Sequence, residues 1–182
     1  MGFLVRSGRV VLLPMYKGTY ERRSATRVQG EKAWRDLSIQ QSKDVARSVD
    51  YLESREDVAH DKLAYFGFSW GALRGPVETA VERRFKASIL VAGGLVLWKA
   101  PQELAPLNFV GRAQPPTLLI SGREDLIFPL ETSIRPMFDK LGVAVPDKKL
   151  VRIDSGHAPP RLPVIRETLD WLDRYLGPVG SS

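Results

Sequence analysis

Gly67-Phe68-Ser69-Trp70-Gly71 places a hydroxyl between two glycines, each two residues away. A serine oxygen attacks a carbonyl carbon poorly unless a base takes its proton. The chain has two histidines, His60 and His157, and His157 sits in Asp154-Ser155-Gly156-His157. An imidazole acting as that base needs a carboxylate to hold its tautomer and to stabilise the imidazolium that forms. Asp125, in Gly122-Arg123-Glu124-Asp125-Leu126-Ile127-Phe128-Pro129, is the candidate, with Glu124 and Asp154 as rivals. Asp154 is too close to His157 along the chain to face its ring comfortably. Ser69, Asp125 and His157, in that order, would make a nucleophile, an orienting acid and a base.

These residues need a scaffold that brings them to one place. Arg9 to Pro14 is a short β-branched apolar run bounded by Gly8 and Pro14, which predicts a buried strand. Met15 to Gly30 is polar and basic, a loop. From Glu31 to Glu53 the apolar residues Trp34, Leu37, Ile39, Val45, Val49 and Leu52 fall mostly on one helical face, predicting a long helix from about Lys32. Leu63–Gly67, Ala87–Gly93, Thr117–Gly122 and Lys148–Ile153 read as further strands. Helices are predicted from Ser69 onward, with Pro76 in its early turns or at a kink, over Leu130–Leu141, and over Arg161–Leu176. Leu95–Pro116 reads as a loop region with one short helix.

Strands alternating with helices predict an α/β fold, a mostly parallel sheet of about five strands flanked by helices. One domain over residues 1–176 and a tail over 177–182 are expected. Ser69 then falls at a strand-to-helix turn, the context that gives G-x-S-x-G its meaning. The turn is too tight for side chains at its flanks, and the amides at the helix start can stabilise developing negative charge. His157 follows the last strand, at the carboxyl edge of the sheet, where open parallel sheets bind ligands. His60 precedes the strand leading to Ser69 and belongs at the opposite edge, in a surface or capping role.

Composition narrows the chemistry. The 182 residues are 43% hydrophobic and 26% charged, ordinary for a globular protein. Cysteine is absent, which removes disulfides, thiolate metal sites and a cysteine nucleophile, and fits a reducing compartment. The net charge of +6 is scattered, as in Glu21-Arg22-Arg23 and Glu82-Arg83-Arg84, so it reads as a solvated face and not a nucleic-acid surface. Arg6 and Arg9 break the apolar start, so no signal peptide is read there. No run approaches the roughly 18 apolar residues of a membrane span. A cytoplasmic location is expected, with no membrane and no nucleic-acid partner.

The elbow, the G-x-x-D-x-x-x-P loop and the S-G-H loop together resemble α/β-hydrolases near the dienelactone hydrolases and the catalytic domains of prolyl-oligopeptidase-type enzymes. The resemblance covers nearly the whole chain. It implies a minimal α/β-hydrolase without a cap domain, a serine hydrolase needing no metal or cofactor. Dienelactone hydrolases proper use a cysteine where this chain has Ser69. The resemblance makes Arg9–Pro14 the fourth of the family's eight strands, leaving the first three, and the loop supplying one oxyanion amide, without a counterpart. The fourth strand is then expected to move beside Leu63–Gly67, with pairing to a second copy as the other way to fill the gap.

On that basis the Trp70 amide is the expected first oxyanion donor, and the backbone around Met15 and Tyr16, or the Tyr16 hydroxyl, the second. Trp70, Trp98 and Phe128 are candidate walls of an open acyl pocket, although aromatics so placed are more often simply core, and Tyr16 has the alternative of a loop aromatic packed on the helix. The expected activity is hydrolysis of short-chain acyl esters of small molecules through an acyl-enzyme. The alternatives are a peptidase or amidase, or a weakly active remnant serving as a binding or assembly module.

Overall fold

The structure is a computed structural model that describes residues 2–23, 28–96, 101–102 and 104–179. Its centre is a four-stranded parallel sheet of β1 (Ala64–Phe68), β2 (Ala87–Val91), β3 (Thr117–Gly122) and β4 (Lys148–Ile153), in spatial order β1-β2-β3-β4. Phe66 stands in register with Ile89, Ile89 with Leu118, and Leu118 with Lys149. Because every strand runs the same way, each connection crosses a face and all carboxyl ends gather along one edge. β2 and β3 are buried along their whole length, which is why A-S-I-L-V and T-L-L-I-S-G show almost no polar alternation.

Helices α1 (Gly2–Arg6), α2 (Gly30–Glu53), α3 (Trp70–Val81), α4 (Leu107–Val110), α5 (Arg135–Lys140) and α6 (Arg161–Leu176) surround the sheet. Strand alternation divides the core in two. Leu90 and Leu119 pack with Val45 and Val49 of α2, Leu73 of α3 and Met137 of α5. Ile89, Val91, Leu118 and Ile120 point the other way, onto Leu4 of α1 and Trp171 and Leu172 of α6. The predicted helix over Leu130–Leu141 is in two parts, a π-helical turn over Leu130–Ile134 leading into α5. Pro76 lies inside α3 without ending it.

The predicted strand Arg9–Pro14 does not form, so the sheet has four strands and not about five. The segment is held at both ends instead. The Arg9 N–H donates to the Leu4 carbonyl at 3.1 Å, and the Arg9 guanidinium pairs with Asp173 of α6. Beyond it, the Lys17 N–H donates to Asp44 at 2.7 Å and Gln41 donates to the Lys17 carbonyl at 3.0 Å. These anchors carry residues 9–14 past β1 without joining its ladder. Among the described residues, the connection from β2 to β3 holds only the short α4, and none of them forms a cap domain over the sheet's carboxyl edge.

A polar pair lies buried where α3 meets α2. Glu78 is 2% exposed and pairs with Arg74, which also donates to Ser42 at 3.1 Å and to the Ser38 carbonyl at 3.3 Å. Burial raises the Glu78 pKa, while the Arg74 charge opposes the rise. Removing one member of a buried pair strands the other. Arg74→Met is therefore expected to destabilise the protein by about 3–5 kcal/mol at neutral pH. A carboxyl whose folded pKa exceeds its unfolded value takes up protons on folding. The loss should accordingly shrink as pH falls below the raised Glu78 pKa and the carboxyl becomes neutral. Urea unfolding of both proteins over a series of pH values from 7 downward measures this.

Candidate active site

β1 ends in the turn that carries Ser69. The residue has φ 52° and ψ −108°, a conformation L-residues rarely adopt, costing on the order of 1–3 kcal/mol. Two bonds hold it there. Its N–H donates to the Val91 carbonyl at 2.8 Å, and its carbonyl accepts from the Leu73 N–H at 2.9 Å. The glycine before it is needed for space: a Cβ on Gly67 would lie 2.5 Å from the backbone of Gly71. Gly67→Ala should force β1 and α3 apart and cost about 3 kcal/mol or more. A thermal unfolding scan would show this as a Tm lower by roughly 6–12 °C.

The Ser69 Oγ lies 2.8 Å from His157 Nε2, and His157 Nδ1 lies 2.9 Å from Asp125 Oδ2. An ionised carboxylate only accepts, so Nδ1 carries the proton and Nε2 is left to accept from the serine hydroxyl. Asp125 is nearly fully buried, and its other oxygen accepts from the Ile127 N–H at 2.9 Å and the Phe128 N–H at 3.0 Å. The loops after β3 and β4 are stapled together. Arg123 N–H donates to the Ile153 carbonyl at 2.8 Å and Glu124 N–H to the Ser155 carbonyl at 3.0 Å. They pass so closely that a Cβ on Gly122 would fall 1.9 Å from the Gly156 carbonyl oxygen. This crossing sets Asp125 beside His157.

The rivals lie elsewhere. Glu124 is exposed, and Asp154 turns outward to pair with Arg123 at 2.6 Å. His60 is exposed and contacts the Arg55 carbonyl at 2.9 Å, ahead of β1 and so away from the carboxyl edge.

The aromatic candidates are distributed differently from expectation. Phe128 is buried beside the imidazole of His157, with ring centroids 5.8 Å apart and the planes tilted by 33°. Phe68 approaches the imidazole from another side at 5.9 Å. Sequence reasoning passed over Phe68, although its place immediately before Ser69 was the available signal. Trp70 opens α3 with its ring half-exposed. Leu126, 90% exposed, and Ile127, also exposed, add apolar surface that was not foreseen. Trp98 lies outside the described residues.

Tyr16, with the backbone beside it the expected second oxyanion donor, is half-buried. Its ring packs against the core, and its hydroxyl answers to Glu78, Arg74 and Asp44. Burial, reinforced by Glu78, pushes its pKa up to about 12. Among the described residues no group of three or more His, Cys, Asp or Glu side chains gathers as a metal site. No helix among them is long and apolar enough to cross a membrane.

No family model matches the chain, and no curated protein matches it. Solved structures do. A cold-adapted esterase from an Arctic intertidal metagenomic library superposes with a TM-score of 0.65 at 21% identity, covering 80% of this chain and 64% of that one. A protein named as a dienelactone hydrolase, from Klebsiella pneumoniae, gives 0.63 at 20% identity, covering 75% and 62%. The acylaminoacyl peptidase of Pyrococcus horikoshii gives 0.62 at 18%, covering 79% of this chain and 29% of that enzyme. This chain therefore spans less than two thirds of the length of each. At these identities the likeness establishes architecture, and the chain has the α/β-hydrolase fold.

Proposed function

We propose that this protein is a serine carboxylesterase acting on short-chain acyl esters through an acyl-enzyme. The reading is carried by the relay Ser69–His157–Asp125, at 2.8 Å and 2.9 Å, assembled from the carboxyl ends of β1, β3 and β4. Ser69 Oγ attacks the ester carbonyl carbon while His157 Nε2 takes its proton. The tetrahedral intermediate collapses, the carbonyl–alkoxy bond breaks, and the same proton passes from His157 to the leaving alcohol. Water then attacks the acyl carbon with His157 again as base, releasing the acid and restoring Ser69. Asp125 stays ionised, stabilising the imidazolium. The Trp70 amide, in the first turn of α3, is the proposed donor to the oxyanion.

Small esters suit a site next to which Phe68, Trp70, Leu126 and Ile127, close in the chain to Ser69 and Asp125, expose apolar surface. The test is hydrolysis of p-nitrophenyl acetate, butyrate and octanoate, together with mass spectrometry after treatment with a phosphonylating reagent. Turnover favouring the acetate and butyrate, with one phosphonyl group on Ser69, is expected. Background rates on all three esters and no adduct would overturn the esterase reading and turn attention to a non-catalytic binding role.

A further inference from the structure

β1 lays its alternate residues Ala64, Phe66 and Phe68 in one row on one face of the sheet. Ala64 and Phe66 join the cluster packed with α1 and α6, and the ring of Phe66 meets that of Phe3 edge-on at 6.5 Å. Phe68 continues the row toward the carboxyl edge but leaves that cluster, and it is 49% exposed. Its ring reaches the catalytic base instead. The centroid lies 5.9 Å from that of the His157 imidazole, with the planes 53° apart.

The base has need of such a contact. His157 belongs to the irregular loop after β4, whose main chain is tied at Ser155, to Glu124, and again at Pro160, where α6 begins. Among the described residues no hydrogen bond engages the backbone of His157 or Ala158. The side chain turns about two torsions. Its bonds to Ser69 and Asp125, at 2.8 Å and 2.9 Å, leave the ring free to tilt about the line joining those partners. Apolar contacts against the ring remove that freedom. Phe128 supplies one from the loop after β3, at 5.8 Å. Phe68 supplies another from the end of a strand, which places a side chain more firmly than a loop does. It stands in register with Val91, whose carbonyl accepts from the neighbouring Ser69 N–H at 2.8 Å.

We infer that Phe68 is a positioning residue of the relay: from the ladder-held end of β1, its ring keeps the loop-borne imidazole of His157 in line between Ser69 and Asp125. The inference rests on the serine-hydrolase reading proposed above. A catalytic group misplaced by about 1 Å can cost on the order of 10²-fold in rate, so a brace on the base has a large effect to prevent. An exposed ring beside Ser69 has one other role open to it, that of a wall of the acyl pocket. The two roles separate kinetically. Wall contacts bind substrate and transition state alike, so their loss raises KM, whereas a displaced base lowers kcat.

The parent protein, Phe68→Ala and Phe68→Tyr are compared by steady-state hydrolysis of p-nitrophenyl acetate, by the low-field NMR resonance of the His157 Nδ1 proton, and by urea unfolding. The chain has two histidines, and His60 is exposed, so few protons compete for that resonance. Phe68→Ala is expected to lower kcat about tenfold or more with KM changed by less than about twofold. The resonance should broaden as the imidazole tilts and its proton meets water. Phe68→Tyr keeps the ring and should restore the resonance and bring kcat within about threefold of the parent. A raised KM at unchanged kcat overturns the inference in favour of a pocket wall. A resonance as sharp in Phe68→Ala as in the parent overturns it outright. Lost kcat that Phe68→Tyr fails to restore, or that comes with lost stability in urea, overturns it in favour of a structural role in β1. The resonance is read without turnover. A parent that shows it but hydrolyses no ester would sink the esterase reading, while its broadening in Phe68→Ala would still uphold the placing of His157 by Phe68.

Discussion

Ser69→Ala is expected to lower kcat for p-nitrophenyl acetate by about 10⁴–10⁶-fold while leaving the fold intact. The size follows from chemistry. Without the hydroxyl no acyl-enzyme forms, and only water assisted by the remaining polar groups can attack the ester. Preservation of the fold follows from the structure. Ser69 caps α3 with no side-chain hydrogen bond to the helix, so its oxygen serves no capping role that alanine would lose. The strained turn is kept by backbone bonds to Val91 and Leu73, which alanine retains. Stability in urea should change by no more than about 0.5 kcal/mol. A variant that hydrolyses the ester as fast as the parent would place the chemistry elsewhere. Lost activity together with lost stability would make Ser69 a structural residue of the turn.

Asp125→Asn is expected to lower kcat by about 10⁴-fold with KM little changed. The substitution is nearly isosteric, and the asparagine carbonyl can still accept from the Ile127 and Phe128 N–H groups that now bond to Asp125. Its amide nitrogen then faces His157 Nδ1. A donor in that place forces Nδ1 to accept and moves the imidazole proton to Nε2, where it points at Ser69 Oγ and prevents proton abstraction. Steady-state kinetics paired with thermal unfolding check this. A loss below about tenfold at unchanged Tm would mean that Asp125 organises its loop without governing the tautomer. Asp125→Ala is the contrasting case. It also removes the acceptor for two backbone amides, so stability should fall along with rate.

The elements that positioned these groups were legible to different degrees. Ala87–Val91 and Thr117–Gly122 are continuous apolar runs, a pattern that survives in any fold covering both faces of a parallel sheet. α2 and α6 showed their apolar faces plainly, and both lie close to their expected limits. Arg9–Pro14 carried an equally strong strand signal and forms no strand. Strand propensity expresses fit to a half-buried pleated surface with a partner alongside. Here the segment is tied at its start to Leu4 and to Asp173, 164 residues away, and runs beside β1 without pairing with it. Phe128 and Tyr16 illustrate the same limit for side chains. An aromatic residue near a motif can be recognised, but whether it lines a pocket or supports a neighbour depends on contacts from distant elements.

By itself, then, the sequence determined what short-range physics controls: a tight G-x-S-x-G turn between a strand and a helix, buried parallel strands, and Ser69, Asp125 and His157 in that order along the chain. Such features follow from the sterics of neighbouring residues and from hydrophobic periodicity, and both are written locally. Tertiary structure alone decided that Asp125, and not Glu124 or Asp154, meets His157, because the loops after β3 and β4 cross at Gly122 and Gly156. It also packed Tyr16 against the core beside α2 and buried Phe128 against the ring of His157. Those outcomes rest on pairings between residues far apart in the chain, whose energies depend on which elements pack together and not on the identity of any one segment.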